Sequence, residues 1–178
     1  MKSELKIIIF RYKQSLYPYG HPVDKGWSLN DRNNSLDDYT VLDGNNLVFQ
    51  CKCQTVSNTE GCVPAADYFD TLAPCEFNLK LFVDTRRFNC EVHGITDAKT
   101  LKGEIIDKQS VTETSKDRWL QHDTQKLKPY QAGVETRVAW SSGCIILPMR
   151  KHALVNEIFK QYGYQSGDSI KCRLVEEV

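Results

Sequence analysis

The sequence predicts a mainly β fold, a mostly antiparallel β-sandwich or half-open barrel with one helix packed near the C-terminus. Two observations predict it. Six apolar runs, alternating or continuous, are separated by clusters of Gly, Asn, Asp and Pro. A single stretch has convincing helical spacing, and it follows Pro148 shortly before the last of those runs.

The runs are Leu5 to Tyr12, Asn46 to Val56, Phe77 to Val83, Phe88 to Ile95, Glu135 to Leu147 and Ser169 to Val175, each read as a strand. Residues 13 to 45, with Tyr-Pro-Tyr-Gly-His-Pro and an Asn/Asp-rich stretch, read as turns or a covering loop. After Pro148, Leu154, Val155, Ile158, Phe159 and Tyr162 share one helical face, and Gly163 supplies the stop. A shorter helical stretch is expected between Ser115 and Leu127, anchored by Trp119, Leu120 and Leu127.

With 178 residues and 40% hydrophobic content, the chain has the size of one domain, spanning 1–178. The 23 basic and 23 acidic side chains cancel, so no net field draws the protein to nucleic acid or an anionic membrane. The apolar run Ile7 to Phe10 is too short for a signal-peptide core or a membrane span, and reads as the first strand. Without a visible signal peptide, action outside the cytoplasm implies delivery by a dedicated secretion system, by lysis, or loss of a leader.

Seven cysteines leave at least one thiol unpaired in any intramolecular scheme. Cys51 and Cys53 fall on the same face of a strand, as two small buried apolar residues would. A zinc site would call for tighter ligand pairs than Cys51, Cys53, Cys62 and Cys75 offer, so no metal and no cofactor is expected.

The chemistry centres on Val138 to Leu147, where Ser141, Ser142 and Gly143 precede Cys144 and an apolar run resumes. A glycine before a nucleophile permits tight backbone geometry and lets neighbouring N–H groups converge on an oxyanion. A thiol must ionise to attack, and an imidazole can take its proton. Upstream, alternation along Phe88 to Ile95 puts Phe88, Cys90 and Val92 on one face, and Asn89, Glu91 and His93 on the other, with Gly94 following. His93 is therefore the expected base, pointing away from what its apolar neighbours fill. His122 is the substitute base; His21 and His152 read as structural or exposed.

A strand ending in His93-Gly94, then Ser141, Gly143, Cys144 and Ile145, then Leu147-Pro148, a helix and a last strand, resembles the L,D-transpeptidase (YkuD-type) catalytic domain. Gly61 to Tyr68 resembles that family's Pro-x-Gly-x-Tyr/Phe turn. Ser142 stands where the family motif has histidine, and Ile146 where it has Arg or Asn. Fifty residues lie between His93 and Cys144, far more than in the family, which marks roughly 96–133 as an insertion: a lid over a substrate groove or a solvated addition.

The resemblance implies a Cys144 thiolate attacking an L-to-D peptide bond of a peptidoglycan stem peptide, in the periplasm or cell wall. His93 would handle the proton, and backbone amides around Ser142, Gly143 and Cys144 would hold the oxyanion. Transpeptidation, carboxypeptidation and exchange differ only in what resolves the thioester. Trp140, Tyr68, Trp119 and His122 are candidate substrate contacts. Two other readings stand beside it: a relaxed binding or structural module of a phage particle or secretion apparatus, and an exported antibacterial effector using the same chemistry.

Overall fold

The computed structural model describes residues 4–13, 37–56, 71–83, 91–107, 119–123 and 143–178, and the statements below concern these. They form strands β1 (Leu5–Arg11), β2 (Asp37–Asp43), β3 (Asn46–Cys53), β4 (Cys75–Val83), β5 (Val92–Thr96), β6 (Ala98–Lys99), β7 (Ile105–Ile106), β8 (Leu120–Asp123), β9 (Ile145–Leu147) and β10 (Ser169–Glu176), with helix α1 (Met149–Gln161) directly before β10. Eight strands make one sheet in the order β3-β2-β1-β10-β4-β5-β8-β9, and β6 pairs β7 as a separate ribbon. Pairing is antiparallel except between β1 and β10 and between β8 and β9. The two edges meet where Gln54, just past β3, exchanges backbone hydrogen bonds of 2.8 and 2.9 Å with Ile146 of β9. A bridge there satisfies groups that an open edge would expose, so the sheet is nearly a closed barrel. The mainly β fold with one helix before the last strand is thus as the sequence predicts.

Alternation explains the core. Leu5, Ile7 and Ile9 of β1, Phe77, Leu79 and Leu81 of β4, and Ile170, Cys172 and Leu174 of β10 all turn inward and are buried. Each large apolar side chain so placed contributes roughly 1.5–3 kcal/mol over an exposed one. Arg11 continues the inward row of β1 and is fully buried, which its partners permit: Nε donates to Thr55 Oγ1 at 2.8 Å and Nη1 to Glu176 Oε2 at 3.3 Å.

Helix α1 fills one side of the barrel with His152, Val155, Asn156 and Phe159, spaced i, i+3, i+4 and i+7. Its end is a Schellman arrangement: Gly163 at φ +83° donates to the Lys160 carbonyl, and Tyr164 donates to the Phe159 carbonyl while its ring packs against Phe159. Gly163 therefore terminates the helix as expected. The buried face is rotated from the expected one, however: Leu154 is 50% exposed, and His152 and Asn156 are buried instead, Asn156 bonding His93 beneath the helix.

Two further expectations are corrected. The loop over 13–45 contains strand β2, whose Asp37, Tyr39 and Val41 face inward between β1 and β3, with Gly44 at φ +59° in the turn to β3. Its four flanking and interior polar residues hid the alternation. The helical stretch over 115–127 contains instead β8, which spans the space between β5 and β9. Part of the expected insertion is thus a barrel strand rather than an appended lid.

Replacing Phe159 with Ala should cost about 3–5 kcal/mol in urea unfolding, the toll of a large core cavity. Leu154→Ala should stay within about 0.5 kcal/mol. The reverse order would show that the helix presents the other face.

Candidate functional site

The region to be explained lies where β5, β8 and β9 run side by side. His93 pairs with Gln121, and Gln121 with Ile145, so these three side chains form one row across the sheet. That row faces the core beneath α1. The intervening residues face the other way: Val92, Leu120, Cys144 and Ile146 form a second buried cluster, edged by Val83. Strand alternation therefore places His93 and Cys144 on opposite faces of the sheet.

The His93 ring is fully buried and both its nitrogens are engaged. A backbone irregularity in β4 between Lys80 and Val83, with Phe82 at φ +49°, aims the Phe82 N–H at the ring; it donates to Nδ1 at 3.2 Å. Nδ1 is then the acceptor, so Nε2 carries the proton and donates to Asn156 Oδ1 at 2.7 Å. The rings of Phe82, His152 and Phe159 pack around it at centroid distances of 5.4, 5.4 and 5.7 Å. Burial pushes its pKa down to about 4, against the opposing bond to Asn156. The expectation that His93 serves as base to Cys144 is thus corrected. Val92 and His93 do point in opposite directions, but both directions are buried, and the one His93 takes leads to the helix.

Cys144 is 8% exposed and follows Gly143 at φ +114°. A side chain at Gly143 would collide with the Trp119 indole, so glycine answers both to its backbone angle and to the packing of the ring. Trp119, expected as a substrate contact, is a core residue pressed on the backbone turn that precedes the thiol. Gly94, expected among the oxyanion residues, is a buried ladder position between Lys80 and Leu120. Trp140, Ser141, Ser142 and Tyr68 lie outside the described residues.

His122 is the histidine that shares a face with the thiol. It stands opposite Ile146 in the parallel β8–β9 ladder, one alternation along from Cys144. Diagonal neighbours of this kind are about 7–8 Å apart, within reach of an aromatic side chain. Its Nδ1 lies 2.6 Å from the Asp123 carbonyl oxygen, which can only accept, so Nδ1 carries the hydrogen and the basic lone pair sits on Nε2. The ring is half-buried.

Asn156 and Phe82, which bond the His93 ring, and Gln121, its neighbour across the ladder, escaped the sequence reading. A signal for one pair was present: His152 and Asn156 are spaced i, i+4 and interrupt the apolar stripe of α1. Cys51, Cys53 and Cys172 are buried, and burial pushes Cys51 up to about 12 and the other two well above the ordinary thiol value. Among the described residues no group of three or more His, Cys, Asp or Glu is arranged to hold a metal ion, and no helix is long and apolar enough to cross a membrane.

An uncharacterized protein of Treponema pallidum (strain Nichols) is 27% identical to this chain over 181 residues, covering 96% of this chain and 79% of that protein. No family model matches the chain, and no solved structure matches it.

Gly143→Ala should destabilise the protein by about 1–3 kcal/mol through overpacking alone, read as a lowered denaturant midpoint with altered Trp fluorescence. Full stability in that variant would show that the turn and Trp119 are not in contact. The pH dependence of stability follows from His93: unfolded, it protonates near 6.5, whereas folded it stays neutral down to about 4. Between these values the unfolded state binds more protons, so stability falls as the pH drops, by about 3 kcal/mol in all. His152, held well below its ordinary value by burial, adds in the same direction. Denaturant midpoints between pH 7 and 4 should show the loss, and His93→Asn should reduce it; an unchanged profile in the variant would contradict the assignment.

Proposed function

We propose that the chain is a cysteine-dependent acyltransferase of the L,D-transpeptidase kind, in which Cys144 is the nucleophile and His122, in place of His93, handles its proton. The observation that carries this reading is the placement of Cys144 after a left-handed glycine, on the same sheet face as an imidazole whose lone pair is on Nε2. The resemblance of the segment from Ser141 to Ile145 supplies the substrate class, stem peptides of peptidoglycan, and with it a site of action in the periplasm or cell wall.

In the step proposed, His122 Nε2 takes the Cys144 proton and the sulfur attacks the carbonyl carbon of an L-to-D peptide bond. The C–S bond forms, the C–N bond breaks, and the imidazolium returns the proton to the departing amine of the D-residue. A second amine, water or a D-amino acid then resolves the thioester and frees the thiol. The apolar cluster of Val92, Leu120 and Ile146 around the sulfur lowers the local dielectric and strengthens any charge pairing between thiolate and imidazolium.

A second reading is favoured by a specific observation. The histidine of the His-Gly pair is committed to Phe82 and Asn156, and the thiol is nearly covered, as suits a binding or structural module that keeps the fold without the reaction.

The test is mass spectrometry of the protein incubated with a purified stem tetrapeptide. The acyltransferase reading expects a thioester adduct on Cys144, absent in Cys144→Ala, formed roughly 10²-fold more slowly in His122→Ala, and retained in folded His93→Asn. No adduct, together with iodoacetamide labelling of Cys144 as slow as that of Cys172, would support the module instead.

A further inference from the structure

Strand alternation turns one row of side chains of β1, β10 and β4 into the core and the next row outward. The outward rows of these three neighbouring strands floor an open groove of about 770 Å³. Its basic side chains are Lys6, Lys171 and Arg173, and its acidic ones are Glu4, Glu76 and Asp97. The two sets cancel, so what a ligand meets there depends on how the signs are arranged.

The register arranges them. Lys6 of β1 stands directly beside Lys171 of β10, and Arg173 lies two residues further along β10 on the same outward face. Like charges side by side in a ladder repel, and the third base adds to that cost. The acids take the margins. Glu76 of β4 stands opposite Arg173, Glu4 precedes Lys6 by two residues, and Asp97 follows β5, where the Asn78 amide and the Thr96 hydroxyl donate to it at 2.6 and 3.0 Å. Arg173 and Glu76 share a face, yet among the described residues neither they nor Lys6, Lys171 and Glu4 join an ion pair. All five are exposed. The groove therefore presents a basic centre along the β1–β10 seam and an acidic rim, with no bond joining the two.

A simple anion over the centre would also face the rim acids, and a simple cation at the rim would face the bases. A molecule carrying a carboxylate and an ammonium group apart from each other meets both. Its carboxylate matches the planar fork of Arg173 with the neighbouring lysines, and its ammonium matches Glu76. Neighbouring strands lie about 4.8 Å apart, so the seam and Glu76 are separated by about 5–10 Å. Two or three extended residues span that distance. The volume also fits, since small-ligand sites run to roughly 300–1,000 Å³. Ile8, 36% exposed and beside Arg173 in the same groove, offers apolar contact to a peptide side chain.

We propose that the outer groove of β1, β10 and β4 binds short peptides with free amino and carboxyl ends, the carboxylate over Lys6, Lys171 and Arg173 and the ammonium at Glu76. The groove lies on strands other than β8 and β9, so the proposal stands whether or not Cys144 is a nucleophile.

An amide ¹H–¹⁵N NMR titration of the full chain with trialanine at low salt tests it, beside the same peptide N-acetylated and C-amidated. The free peptide should produce saturable shifts centred on β1, β10 and β4, and the blocked peptide none. Arg173→Gln and Glu76→Gln should each weaken binding roughly fivefold, and added salt should weaken it further. Both substitutions are at exposed positions, so the rest of the spectrum should be retained. Equal binding of free and blocked peptide, tighter binding of inorganic phosphate than of trialanine, or the absence of saturable shifts in the groove would each overturn the proposal. So would unchanged affinity in both variants.

Discussion

The ring of His93 is the fixed point of this molecule. It receives the N–H of a strand bulge on one side and gives its own N–H to a helix side chain on the other, so β4, β5 and α1 meet at one imidazole. A ring so held admits one direction for His93, and the pleat then determines its neighbours. Val92 goes to the opposite face, and the ladders through β8 and β9 carry that choice to Leu120, Cys144 and Ile146. The site's geometry follows from the clamp.

The consequence is a division of labour between histidines that composition alone treats as equal. His93 has its proton on Nε2 and its lone pair occupied, which makes it a strut. His122 has its proton on Nδ1 and its lone pair on Nε2, the tautomer that the proposed base role requires. The cysteines divide similarly: Cys51, Cys53 and Cys172 lie in the core with raised pKa values, while Cys144 follows a glycine whose backbone angle few other residues adopt. Cys144 is as buried as Cys51 and also has apolar neighbours, so what sets it apart is the glycine before it.

Much of the fold was legible because the inward rows of β1, β4 and β10 alternate cleanly, and because Gly163 ends a helix that begins after Pro148. Strand β2 was not legible. Its inward Asp37 is tolerated in the core because the Tyr12 N–H and the Thr55 hydroxyl donate to its two oxygens, and both partners lie outside β2. Strand β8 was read as helix because four residues among many charges carry no period of their own; its state is imposed by β5 and β9 on either side. For the site, the cysteine and its glycine could be read from local sequence. The pairing of cysteine with histidine could not, since it depends on which face of a two-sided buried strand each residue takes. A rule of apolar against polar faces fails there, because His93 is a polar residue in a core and its partners Asn156 and Phe82 arrive from other elements.

The most direct measurement is the imidazole ¹⁵N spectrum of the folded protein before and after alkylation of Cys144. The account predicts a neutral Nε2–H form for His93 and an Nδ1–H form for His122, with alkylation shifting the His122 nitrogens and leaving those of His93 in place. A His93 signal that moves with Cys144 alkylation, while His122 stays still, would contradict it.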